Sequence, residues 1–135
     1  MREILFRGKK KNGEWATGNL LYYPDVNRAY IQNGDYFKGG AVEVSAHTVG
    51  QYTGQKDIAG NQIFEGDVLR WTAEDGESGR VYVAFSGGLF GLYSIECPNT
   101  DPDAFADFEV GEQPLEIIGN IHDTPELLKK AGDDD

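Results

Sequence analysis

Apolar and polar residues alternate along much of this chain, and glycines or polar clusters interrupt the alternation at short intervals. The run Arg80 to Phe85 shows the pattern most clearly. Val81, Val83 and Phe85 fall on one face and Arg80, Tyr82 and Ala84 on the other, the period of two expected of a half-buried strand. Ser86-Gly87-Gly88 turns this strand back into Leu89 to Ile95, Val68 to Thr72 precedes it across the polar turn Ala73 to Gly79, and Leu115 to Ile118 supplies a fourth strand. Together they predict a small antiparallel meander. Earlier in the chain, strands are expected at Glu3 to Arg7, Trp15 to Tyr23, Arg28 to Gln32 and Ala41 to Ser45. Asn12-Gly13 reads as a type I′ hairpin turn, because both residues tolerate positive φ. Tyr36 to Gly40 reads as loop. Thr124 as N-cap with Pro125 at the first helical position predicts a short helix over Pro125 to Lys130, ended by Gly132.

Between the two sets of strands, Gln51 to Trp71 packs two turns into one span. Asp57-Ile58-Ala59-Gly60-Asn61 is the first, with Gly60 free to take positive φ and Asp57 and Asn61 able to bond nearby backbone. Glu65-Gly66-Asp67 is the second, and an Asp after a turn glycine is expected to cap backbone N–H groups. Ile63 and Phe64 lie between them and should enter a core. Cys97 to Gln113 breaks the strand pattern, with five acidic residues and two prolines in 17 positions. A loop of this length is usually functional or mobile, and Phe105, Phe108 and Val110 suggest that part of it packs down, with a helical turn starting at Asp103.

At 135 residues, with 18 glycines and 12% aromatic content, the chain has the composition of a turn-rich all-β protein able to bury a real core. No apolar run approaches the roughly 20 residues of a membrane span, and Arg2, Glu3 and Arg7 interrupt any signal-peptide pattern. A cytoplasmic protein without membrane contact is expected, and the single cysteine, Cys97, suits a reducing compartment. The formal charge of −11 is uneven: residues 1–57 hold 8 Lys/Arg against 6 Asp/Glu, and residues 58–135 hold 4 against 17. The second half would repel a phosphate backbone, and only Lys9-Lys10-Lys11 is basic, so direct nucleic-acid binding is not expected.

The signature Thr48-Val49-Gly50-Gln51-Tyr52-Thr53-Gly54, then Lys56-Asp57, Gly60 and Ile63-Phe64-Glu65-Gly66-Asp67-Val68, resembles that of the YopX family of small phage and prophage proteins. The opening Met1 to Ile4 with Phe6-Arg7, and the closing Ile117 to Leu128, agree with it, so the resemblance spans nearly the whole chain. Gln55 and Ile58-Ala59 depart from the usual family residues at turn positions. The resemblance implies a mainly β fold with an SH3-like barrel in its second half. With the strand and helix signals above, the expected fold is all-β and mainly antiparallel, with N-terminal hairpins over residues 1–50, an SH3-like small barrel with one short C-terminal helix over 51–132, and an acidic tail at 133–135. It also implies a phage-encoded origin. Gln51, Tyr52, Thr53, Gly54, Asp57, Gly60, Glu65, Gly66 and Asp67 form its structural signature. No catalytic residues come with it.

The residues themselves offer little chemistry. There is no GxGxxG, no GxxxxGK[ST] and no GxSxG. Reading Asp57 as the first position of a calcium loop puts Ala59 at the third, Gln62 where glycine is needed and Val68 where a bidentate Glu belongs. His47, His122 and Cys97 show no ligand spacing, and Cys97 has no neighbouring cation to lower its pKa. No cofactor or metal is expected, and the chain does not read as an enzyme. Two function classes fit. One is a non-catalytic module that binds a protein partner or itself, using aromatics beyond the needs of a small core: Trp15, Tyr22, Tyr23, Tyr30, Tyr36 and Phe37. The other is an acidic mimic of nucleic acid that binds a host DNA-binding protein.

Overall fold

In the computed structural model, residues 3–33, 40–86, 88–96, 103–104 and 114–129 are described, with 103–104 given as backbone only. Eleven strands among them pair antiparallel wherever their register is defined: β1 (Phe6–Lys9), β2 (Trp15–Tyr23), β3 (Arg28–Gln32), β4 (Ala41–Val44), β5 (Gly50–Lys56), β6 (Gln62–Phe64), β7 (Asp67–Thr72), β8 (Ser78–Ser86), β9 (Leu89–Ser94), β10 (Asp103–Ala104) and β11 (Leu115–Asn120). Two compact units divide after Gly54, inside β5. No helix among the described residues is long and apolar enough to cross a membrane.

In the first unit the strand order is β4-β3-β2-β1-β5. Phe6 lies opposite Gly18 on one side and Gln51 on the other, so β1 is the spine between its hairpin partner and a strand from the signature stretch. The first strand begins at Phe6, three residues later than the expected Glu3, and pairing with Trp15 to Gly18 carries it past Arg7 to Lys9. Ala29, Ile31 and Val44 form the buried cluster, with Phe6, Ala16 and Leu20 packed against it. Gly8 and Gly18 make that packing possible: a Cβ on Gly8 would lie 2.6 Å from a Val44 methyl, and one on Gly18 would collide with the Gln32 carbonyl.

The 10–14 turn differs from the type I′ expectation. The Gly13 N–H donates to the Lys10 carbonyl at 2.9 Å and the Lys10 N–H to the Glu14 carbonyl at 2.8 Å. Gly13 alone takes positive φ, 89°, and Asn12 does not. This is the three-residue loop that ends in a bulge glycine. The side chain of Asn12 accepts the Glu14 N–H instead.

In the second unit the order is β10-β9-β8-β7-β11. All four strands expected of the meander are present, and among the described residues no pairing joins β10 to β11 to close the sheet. Leu69, Val81, Val83, Leu92 and Leu115 bury one face together with Ile63 of β6, and Trp71, Phe90 and Ile117 flank them. On the opposite face Tyr82 and Tyr93 stack, with ring centroids 5.3 Å apart. Leu69 pairs with Ile117, then Val68 with Gly119, so a bulge at Ile118 re-aims the end of β11.

Two expectations are corrected at the ends of this unit. Asp103–Ala104 is not helical but pairs as β10 with Gly91 and Leu92 of β9. The rest of the acidic excursion, Cys97 included, lies outside the described residues. The C-terminal helix is a single 3₁₀ turn, Pro125–Leu128, and Thr124 makes no side-chain cap to it. The Thr124 hydroxyl instead accepts the Asn120 N–H at 3.0 Å and donates to the Asn120 carbonyl at 2.9 Å. Lys130 and Gly132 lie outside the described residues.

Candidate functional site

The signature residues fall in two places. Gln51, Tyr52, Thr53 and Gly54 belong to β5, which pairs with β1. Gln51 is half-buried opposite Phe6, Tyr52 and Thr53 are buried, and the Tyr52 N–H donates to the Leu5 carbonyl at 2.8 Å. Gly54 is exposed with φ 88°. Asp57, Gly60, Glu65, Gly66 and Asp67 form the two turns that follow.

Asp57 is 4% exposed. Its Oδ1 accepts the Ala59 N–H at 3.0 Å and the Asn61 N–H at 2.8 Å, and its Oδ2 accepts the Ile117 N–H at 3.2 Å from β11. Burial pushes its carboxyl up, but the bonds from Asn61, Ile117 and Ala59 outweigh it and hold the pKa below the ordinary value. Gly60 takes φ 88° with open space around its Cα, so its conformation, not crowding, is what a side chain would disturb.

Asp67 is 1% exposed and its Oδ2 accepts the Phe64 N–H at 2.8 Å across the second turn. Gly66 between them has φ 93°. Its N–H donates to the Val83 carbonyl at 2.8 Å and its carbonyl accepts the Ile121 N–H at 2.9 Å. The turn is therefore tied to β8 on one side and to the segment after β11 on the other. A Cβ on Gly66 would sit 3.6 Å from the His122 ring and from Ile121. Glu65, beside them, is half-buried. His122 closes the same junction from its own backbone, donating its N–H to Asn120 Oδ1 at 3.0 Å, and the Asp123 N–H shares that oxygen at 2.8 Å. Both buried aspartates thus have carboxylate oxygens committed to backbone N–H groups. Among the described residues no three His, Cys, Asp or Glu side chains converge as metal ligands would.

Arg80 was not singled out by the sequence, yet it ties three segments together. Its Nε and backbone N–H both reach the Glu96 carboxylate, at 2.9 and 3.0 Å, and its terminal nitrogens donate to the carbonyls of Leu127 and Lys129 at 2.9 and 2.7 Å. Burial raises the Glu96 pKa, and the bonds and charge of Arg80 bring it below the ordinary value. Only a structure joins these residues, since Arg80 and Lys129 are 49 positions apart.

The aromatic residues proposed as a contact surface are divided by strand register. Tyr30 lies opposite Leu21, and Tyr22 opposite the buried Ala29, so Tyr22 and Tyr30 occupy opposite faces of the first sheet. Tyr22 is exposed at its strand end, where its hydroxyl bonds Asn27 Oδ1 at 2.9 Å. Trp15 shares the outward face with Leu21, Tyr23 and Tyr30. It is half-buried under Arg7, whose guanidinium lies 4.5 Å from the ring centroid, with Lys9 Nζ at 5.9 Å. Tyr23 meets Tyr30 edge to face at 5.9 Å. Leu21, Tyr23, Val26, Arg28, Tyr30 and Ala41 line an open groove of about 650 Å³ on this face. Leu21, Val26, Arg28 and Ala41 carry no signal of this groove in the sequence, because their grouping depends on how β2, β3 and β4 pair. Tyr36 and Phe37 lie outside the described residues.

These features define a small, mainly antiparallel β protein of two sheeted units with a buried-aspartate turn pair between β5 and β7. The YopX protein family model matches residues 5–129, and the chain belongs to that family. The crystal structure of protein EF1440 from Enterococcus faecalis is similar in fold, with a TM-score of 0.56 and 21% identity over 96% of this chain and 100% of that one. No protein with a curated description matches.

Proposed function

We propose that this chain is a non-catalytic, phage- or prophage-encoded accessory protein of the cytoplasm that binds a protein partner or a second copy through the outward face of its first sheet. The observation that carries this is the groove of about 650 Å³ between Leu21, Tyr23, Val26, Arg28, Tyr30 and Ala41. Tyr23 is 52% exposed and Val26 63%, so aromatic and aliphatic area is clustered where it is not used for the core. Aromatic side chains with a polar tip are the residue type that most often anchors protein contacts. The non-catalytic reading is supported by Asp57 and Asp67, whose carboxylates bond backbone N–H groups within their turns.

The test compares the wild-type chain with a Tyr23→Ser, Tyr30→Ser double variant. Both are used in sedimentation velocity and as immobilised bait in extracts of a bacterial host. The expected result is that self-association, or retention of a specific partner, is lost in the variant while its melting temperature changes little. Partner retention that is unaltered in the variant, or a DNA-binding protein held through the acidic second unit, would overturn it in favour of nucleic-acid mimicry.

A further inference from the structure

The second inference concerns the far edge of the second sheet and is independent of the groove. β11 ends the strand order β10-β9-β8-β7-β11, so among the described residues one row of its backbone groups has no strand opposite it. Two of those groups are nevertheless bonded. The Leu115 carbonyl accepts the Ile58 N–H at 2.9 Å, and the Ile117 N–H donates to Asp57 Oδ2 at 3.2 Å. A neighbouring parallel strand would offer the same pair: one N–H to the carbonyl of the residue before Glu116, and one acceptor to the N–H of the residue after it. Here the donor is backbone and the acceptor is a carboxylate oxygen standing where a strand carbonyl would be. Oδ1 serves the turn through the Ala59 and Asn61 N–H groups, while Oδ2 serves β11 and takes from the turn only a longer contact, 3.4 Å, from the Asn61 side-chain amide.

We propose that Asp57 and Ile58 form a pseudo-strand that closes the β11 edge and keeps a second copy of this chain from adding to it. A bare strand edge is a template for pairing with another chain, and proteins cover such edges with loops or charges. The Asp57–Ile58 pair does both. Ile58 itself is 63% exposed, so its side chain contributes little cover and its N–H is the useful part.

Two substitutions separate edge closure from turn formation. Asp57→Asn keeps one side-chain oxygen for Ala59 and Asn61 but turns an amide NH₂ toward the Ile117 N–H. Ile58→Pro removes the donor to Leu115 and leaves the carboxylate in place, and proline suits the second position of a turn of this kind. Amide hydrogen exchange of Asp57→Asn should show Ile117 exchanging about tenfold faster or more while Ala59 and Asn61 stay protected. Sedimentation velocity of both variants should show concentration-dependent association beyond that of the wild type. Unchanged protection at Ile117 would overturn the assignment of Oδ2 as its cover. Opening of Ile117 with wild-type sedimentation in both variants would overturn the guarding role. If Asp57→Asn fails to fold, Ile58→Pro alone decides: association supports the proposal, and a wild-type sedimentation profile defeats it.

Discussion

Three hairpin loops among the described residues share one backbone arrangement and differ in nearly everything else. In Lys10–Glu14, Asp57–Asn61 and Ala73–Glu77 the first residue's N–H donates to the fifth residue's carbonyl, and the fourth residue, a glycine, donates back to the first carbonyl. The three glycines have φ of 89°, 88° and 90°. In the first and third loops the stabilising side chain sits at the third position: Asn12 accepts the Glu14 N–H and Asp75 the Glu77 N–H, both exposed. In the middle loop it sits at the first position, is buried, and spans 60 residues to reach Ile117. A local turn and a tertiary tie can thus be written on the same five-residue frame. Placing the side-chain acceptor at the base of the loop, where the strands begin, instead of at the tip is what brings another strand within its reach.

Two buried aspartates mark the strong end of this comparison. Asp67→Ala leaves the Phe64 N–H without its acceptor in a fully buried site and should cost about 2 to 3 kcal/mol. Gly66→Ala forces a side chain into positive φ beside His122 and Ile121 and should cost about 1 to 2 kcal/mol. Urea denaturation measures both. Asp67→Asn provides the contrast with function: a lower midpoint with groove-dependent binding kept is the expected outcome, and an unaltered midpoint with binding lost would make Asp67 a binding carboxylate.

Asp57→Ala should cost about 1 to 3 kcal/mol, because Ala59, Asn61 and Ile117 all lose an acceptor. It also carries a pH signature. The folded pKa of Asp57 lies below its unfolded value, so as pH falls the unfolded chain takes up the proton first. The stabilisation is full above the ordinary carboxylate range and drains away as pH falls through it toward the folded value. Glu96, held by Arg80, contributes with the same sign. Stability of the wild type measured between neutral and acid pH should therefore fall more steeply than that of Asp57→Asn, and equal slopes would remove Asp57 from the account.

How far the sequence foretold these features depends on whether the relevant partner was local. Alternation in Arg80 to Phe85 and the glycines at 13, 60 and 66 placed strands and turns correctly because both signals act within a few residues. The dipeptide Asn12-Gly13 does not by itself settle the turn type, since it serves two-residue and three-residue loops alike. The choice is made by Lys10 and Glu14 bonding across the hairpin. β5 carries no strand signal of its own, because GQYTGQK lacks apolar alternation and its place is set by pairing with Phe6 and Arg7 of β1. Thr124 looked like a helix cap, but Asn120, four residues back, engages its hydroxyl first. Asp57 was recognised as a turn residue and not as a cover for β11, and Tyr22 was grouped with Tyr30 although adjacent positions along β2 face opposite ways. The reach of Asp57 to β11 and the pairing of β5 with β1 depend on register between distant strands, whereas the turn type and the Thr124 contact are settled by competing local bonds.

The smallest expected effects fall on the exposed loops, and they sharpen the comparison most directly. Gly13→Ala, Gly60→Ala and Gly76→Ala place a Cβ in open space at nearly the same φ, so conformational strain is the shared cost, about 1 kcal/mol at each site. Asn12→Ala and Asp75→Ala remove one exposed bond apiece and should cost about 0.5 kcal/mol. Side by side, the three glycine variants should cluster while the three side-chain variants Asn12→Ala, Asp57→Ala and Asp75→Ala spread apart, with Asp57→Ala alone at the high end. Chemical denaturation of the six single variants in one buffer resolves this. Should Gly60→Ala cost well over twice its two counterparts, the middle loop's backbone, and not its carboxylate, would be the part that holds β11. Should Asp57→Ala fall among the exposed-loop values, the bond to Ile117 would contribute no more to stability than a solvent-facing one.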